Sequence, residues 1–255
     1  MQLAIHNAVR ICAGLLLCMA TVCARDFAPG RSVAWTDSFL SRVEALALLQ
    51  TLNADLLSHD SATLTLEHWC EVHRLASSPR IVAERVTGMD KTPTPEQRLE
   101  LHVTPTEPVR YRRVRLRCGG LVLSEADNWY VPGRLTPQMN TQLDTTDSPF
   151  GKVAQALDFR RRTLSATLLW SPLPEEWEMG NATMGRRAAT LQIPAELLRH
   201  RAVLVLPDGT PLSEVVETYT GSLFAFASRG PPGARQASGR LDLSPCIQRD
   251  RDAPR

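Results

Sequence analysis

Between Arg110 and Cys118 a cluster of guanidiniums falls on a two-residue alternation: Arg113, Arg115 and Arg117 alternate with Val114, Leu116 and Cys118. That period fits a half-buried strand with one cationic face and does not fit a helix. Guanidiniums on such a face can hold carboxylates through paired, charge-assisted hydrogen bonds. A second basic cluster, Arg160-Arg161-Arg162, lies downstream. Other chemistries find no matching pattern. There is no C-x-x-C, and His68 and His73 stand near the single Cys70, so no zinc set, no other metal and no cofactor are expected. Gly-rich phosphate loops and nucleophile elbows are absent.

The elements that would position these residues follow from periodicity and punctuation. Gly119-Gly120 is a turn signal, and the run Leu121-Val122-Leu123 and later Trp129-Tyr130-Val131 up to Pro132 reads as a strand folding back on the arginine strand. Thr136 is a candidate N-cap with Pro137 in the first helical position and Met139 and Leu143 four apart, which predicts a short helix over 135–143. Apolar residues at spacings of three and four (Leu46, Leu49, Leu52, Leu56) predict an amphipathic helix over 38–57 that packs on the sheet. Residues 91–97 read as a loop. Leu99, Leu101 and Val103 alternate and predict a strand over 98–103, and 163–169 predicts another. Ala202–Leu206 and the run Val215, Val216, Tyr219 form a last hairpin about the Asp208-Gly209 turn. The stretch 172–192 is loop-like and charged.

Several of these pieces resemble the chorismate–pyruvate lyase family. The resemblance rests on Arg113 opening a strand, on the spacing from Arg113 to Pro132, and on the loop Asp147-Ser148-Pro149-Phe150-Gly151. It is extended by Thr65-Leu66-Glu67 with Pro79–Arg85 upstream and by Gly209-Thr210-Pro211-Leu212 to Glu217 downstream. It covers roughly residues 61–228. It implies an α+β fold, chorismate lyase-like, with an antiparallel sheet of about five or six strands carrying its helices mainly on one face. The implied activity is elimination of pyruvate from chorismate to give 4-hydroxybenzoate. The implied site has Arg113 as a carboxylate clamp, Phe150 and Gly151 against the ligand, and Glu217 as the group exchanging a proton, with Glu214 competing for that place. Asn128 stands where the family carries a second arginine, and an amide supplies no charge. The alternative is a non-catalytic binding module for an aromatic carboxylic acid, and in either reading the partner is a small aromatic carboxylate.

Composition bounds these readings. A chain of 255 residues with 43% hydrophobic and 22% charged residues can bury one good-sized core, and a net charge of +2 gives no global case for nucleic acid. Arg10 before the apolar run Ile11–Val22, closing on Val22-Cys23-Ala24, predicts a signal peptide over 1–24 and a periplasmic or secreted protein without stable membrane insertion after cleavage. Residues 25–60 form an N-terminal helical segment, 61–228 the lyase-like domain, and the Pro-, Gly- and Arg-rich 229–255 a disordered tail. A monomer is expected. Of six cysteines, Cys12, Cys18 and Cys23 fall in the leader, leaving Cys70, Cys118 and Cys246; one pair could close, while packing of Cys70 and Cys118 as small apolar side chains is the simpler expectation.

Overall fold

Six strands run β1 (Ile81–Val86), β2 (Arg110–Cys118), β3 (Leu121–Tyr130), β4 (Arg160–Leu168), β5 (Glu196–Val205) and β6 (Pro211–Thr220), and they pair in the order β1-β2-β3-β6-β5-β4. Every pairing is antiparallel. The computed structural model describes residues 35–180 and 188–226. The expected signal peptide over 1–24, the tail over 229–255 and part of the 172–192 stretch lie outside the described residues. The expected α+β class holds, with a six-stranded antiparallel sheet.

Local chemistry explains the elements. The β2–β3 hairpin turns at Gly119, whose φ of +54° is a left-handed conformation that glycine adopts without Cβ strain. Helix α1 (Phe39–Ser58) starts at Ser38, whose hydroxyl accepts from the Ser41 N–H, and α2 (Ala62–Val72) starts the same way at Ser61. Helix α4 (Pro137–Thr145) has Thr136 as N-cap and Pro137 behind it, as its sequence predicts, and a single turn α5 (Phe150–Val153) follows.

The predicted strand over 98–103 is instead the end of a helix, α3 (Pro95–Glu100). Thr94 and Gln97 form a reciprocal capping box, with Pro95 in the first turn. Those caps satisfy helical donors, whereas the alternation of Leu99 and Leu101 has no sheet to serve: Leu99 is 76% exposed and Leu101 is fully buried.

The two sheet faces differ. On one, α1 and α2 lay Leu49, Leu52, Leu56 and Leu66 against Val114, Leu116, Ala126, Val215 and Tyr219 in the main core. Helices α4 and α5 extend that layer through Leu143, Phe150 and Val153, which pack with Tyr130, Phe159 and Leu204. Cys70 of α2 and Cys118 of β2 lie fully buried within this layer and are joined as a disulfide, where two separately packed side chains had been the simpler expectation. On the other face a smaller cluster gathers Leu101, Trp129 and Val131 beneath α3.

Candidate functional site

Strand parity decides which arginine meets the helices. In β2 the residues Arg112, Val114, Leu116 and Cys118 share one face, and all are buried. Arg113, Arg115 and Arg117 share the other. There Arg113 pairs with Glu125 (2.6 Å) and Asp127 (3.4 Å), Arg115 with Glu125 (3.2 Å), and Arg117 with Glu84 (2.8 Å). The face expected to be cationic is therefore a ladder of ion pairs.

A cavity of about 520 Å³, counting its open mouth, lies between the helix-facing side of the sheet, the α1–α2 turn and the segment Pro149-Phe150-Gly151. Val114, Leu116, Ala126, Leu204 and Val215 supply apolar floor, and Phe150 and Phe159 supply aromatic wall. Gly151 closes tightly on α2: a Cβ there would stand 3.2 Å from Ser61 Oγ.

Four polar side chains of the sheet face inward. Arg112 is 8% exposed, and its Nη2 donates to the carbonyls of Ser148 (3.1 Å) and Thr146 (3.5 Å), which ties β2 to the loop before α5. No carboxylate lies within ion-pair distance of it among the described residues, and its Nε has no partner there. Burial, aided by the charge of Arg85, pushes its guanidinium down to about 10, which still leaves it cationic at neutral pH. Asn128, on β3, is buried with its carbonyl oxygen unpaired. Arg161, on β4, donates from Nη2 to Glu217 Oε2 at 2.6 Å, and its backbone N–H donates to Asp60 Oδ1 at 2.8 Å. Its Nε is unpaired. Burial works against its charge, but Glu217 and the other nearby acceptors outweigh that and hold its pKa above the ordinary value. Glu217, on β6, also accepts from the hydroxyl of Tyr219 at 3.0 Å. Tyr219 is itself held neutral, because complete burial and the adjacent carboxylate push its pKa well up.

Of the residues singled out from the sequence, the fold brings Asn128, Phe150, Gly151 and Glu217 to this one cavity. It leaves Arg113 on the opposite face of the sheet, so the placement expected for it is corrected: the guanidinium in the cavity is that of its neighbour Arg112. Glu214 also falls on the opposite face, accepting from Arg201 Nε (2.7 Å) and Gln97 Nε2 (3.2 Å). Of the two further cavity residues, Arg112 was not singled out, and Arg161 was named only together with Arg160 and Arg162 as a cation that could make up for the charge missing at Asn128. The signal for Arg112 was present, since it continues the apolar face of Val114, Leu116 and Cys118 and is the first charge beside them, ahead of the exposed Arg110 at the strand's start.

Nothing in the cavity forms a metal-ligating cluster, and among the described residues no group of His, Cys, Asp or Glu could hold a metal ion. No described helix is long and apolar enough to cross a membrane.

No protein-family model matches the chain. Among solved structures it is similar to PhnF from Mycobacterium smegmatis (15% identity, TM-score 0.43, 65% of each chain), so it spans just under two thirds of that protein's length. It is also similar to the separate effector domain of PhnF (15% identity, TM-score 0.42, 64% of this chain and 89% of that one). A GntR-family transcriptional regulator from Enterococcus faecalis matches with 15% identity and a TM-score of 0.36, over 57% of this chain and 98% of that one. None of these is a chorismate–pyruvate lyase, and with Arg113 on the far face the assignment to that family is withdrawn. The expected periplasmic or secreted location is withdrawn with it, since the matched structures are of transcriptional regulators and the leader it rested on lies outside the described residues. A curated relative is far more similar: the uncharacterized protein y4mC of Sinorhizobium fredii is 56% identical over 193 residues, covering 75% of this chain and 81% of that protein. The chain belongs to the same protein family as y4mC.

Proposed function

We propose that the domain is a non-catalytic binding module for a small organic carboxylate with a flat apolar body, such as an aromatic acid. The observation that carries this reading is Arg112. A guanidinium this deeply buried, with two backbone carbonyls as its only hydrogen-bond partners among the described residues and its Nε unused, is costly unless an anion completes it. A carboxylate is the anion whose two oxygens match that donor fork. The apolar floor and the rings of Phe150 and Phe159 favour a ring-shaped body behind it. The unpaired Asn128 amide supplies a second polar contact for orientation.

Glu217 fits this reading better as a counter-ion than as a proton carrier. One of its oxygens already accepts from both Arg161 and Tyr219, which leaves it poorly disposed to move a proton on a ligand.

Isothermal calorimetry with 4-hydroxybenzoate tests the proposal. Wild type is expected to bind it, and Arg112→Met to bind at least about tenfold more weakly, the loss of one charge-assisted carboxylate contact. Equal affinity of the two proteins would overturn it.

A further inference from the structure

The charged groups around the cavity do not cancel. Four line it, Arg112, Arg161, Glu217 and Asp60, and Arg160, outside the cavity and largely exposed, pairs with Asp60 at 3.2 Å. Glu217 neutralises Arg161 and Asp60 neutralises Arg160, so one positive charge, on Arg112, is left over. The charges near Arg112 outside the cavity are even in number and opposed: Arg85 and Arg110 stand against Asp144 and Asp147. His200, beneath Glu217 on β5, is neutral at physiological pH, with burial and the nearby Arg161 holding it at about 4. The cavity is thus matched to one negative charge.

Resting on the reading of this cavity as a carboxylate site, we infer that it selects a monoanion, a monocarboxylate, against dicarboxylates and phosphate monoesters, and that Glu217 is the specificity-determining residue because it cancels Arg161. A second carboxylate entering the site would meet Arg161 with its charge already satisfied by Glu217 at 2.6 Å, and it would face that carboxylate in a water-poor space. Arg161 Nε remains able to donate, as the Asn128 carbonyl is able to accept. Both suit a neutral hydroxyl or carbonyl at the far end of the ligand and not a second anion.

The test is calorimetry on the full chain at pH 7.5 with three probes of similar size: 4-hydroxybenzoate, terephthalate and phenyl phosphate. Wild type is expected to bind 4-hydroxybenzoate at least about tenfold more tightly than either dianion. Glu217→Gln keeps an acceptor for Arg161 and Tyr219 but adds a net positive charge, and it is expected to erase or reverse that preference. The double variant Arg161→Gln with Glu217→Gln returns the cavity to a single positive charge and is expected to restore it. Because the wild-type ratio and the double variant each report on charge matching, the outcome stands even if Glu217→Gln does not fold. A wild type that binds terephthalate or phenyl phosphate as tightly as 4-hydroxybenzoate would overturn this inference while leaving the carboxylate site standing, as would a folded Glu217→Gln with an unchanged ratio. Failure of wild type to bind any of the three would overturn both.

Discussion

Arg161 Nη2 lies 2.6 Å from Glu217 Oε2, with the two side chains 3% and 7% exposed, so a charge on the edge strand β4 is neutralised from β6 across the width of β5. Buried pairs of this kind add little net stability while intact, because desolvation offsets most of the Coulomb gain, but removing one partner strands the other in a poor solvent. Arg161→Met is therefore expected to cost about 3–5 kcal/mol, read by urea denaturation at neutral pH. A loss below about 1 kcal/mol would mean that water solvates Glu217 well and that the cavity is wetter than its apolar floor implies.

Arg112 should behave in the opposite way. No carboxylate lies within ion-pair distance of it among the described residues, Arg85 opposes the pull of the more distant Asp147 and Asp144, and its two hydrogen bonds go to the neutral carbonyls of Thr146 and Ser148. Each such bond is worth on the order of 1 kcal/mol, whereas burying the guanidinium costs several. Arg112→Met, close in length and apolar, is expected to raise stability by about 1 kcal/mol or more while ligand binding falls. A thermal melt with and without 4-hydroxybenzoate reads both effects: the variant melts higher than wild type alone and gains nothing from the ligand. A lower melting temperature would assign Arg112 to anchoring the 146–149 loop instead.

The neighbouring Arg113 provides the contrast. It stands in an ion-pair ladder on the far face with partly exposed partners, and such pairs contribute about 0.2–1 kcal/mol each. Arg113→Ala is expected to lower stability by no more than about 1–2 kcal/mol and to leave affinity for 4-hydroxybenzoate unchanged. A tenfold loss of affinity in calorimetry would contradict the placement of the site on the helix-facing side.

Much of the scaffold was legible because its signals are local. Ser38, Thr136-Pro137, Gly119-Gly120 and Asp208-Gly209 punctuate helices and hairpins that form where they mark them. The failure over 98–103 came from reading an alternation of three apolar residues without the cap before it: Thr94, Pro95 and Gln97 specify a helix start, and that chemistry outweighs a short period-two run. The site was half legible. Asn128, Phe150, Gly151 and Glu217 were singled out, but in a strand a shift of one residue exchanges faces, and the cation was read one position late. The alternation itself held the answer, since the face carrying Val114, Leu116 and Cys118 must be the buried one, and the arginine that continues it is Arg112. Arg161 was harder to find, because nothing local separates the middle member of Arg160-Arg161-Arg162 from its neighbours. Only its pairing across the sheet with Glu217 does so.

His200 gives the fold a defined acid sensitivity. It is fully buried on β5, with Nε2 2.9 Å from Asn53 Oδ1 of α1 and its ring edge-on to Tyr219. Burial, with the nearby Arg161 charge, lowers its pKa from 6.5 to about 4, and the opposing pull of Glu217 is smaller. With the folded value below the unfolded one, the unfolded chain binds more protons between those pH values, so stability is full above about pH 6.5 and falls as the pH drops toward 4. Between pH 7.5 and pH 5 this one group should cost about 2 kcal/mol. Paired carboxylates also titrate at the acid end, so the measurement is a difference: urea denaturation of wild type and His200→Gln at both pH values. Wild type is expected to lose about 2 kcal/mol more than the variant over that interval. Equal losses would mean that His200 protonates in place, and that the helix α1 contact through Asn53 tolerates a charge next to Arg161.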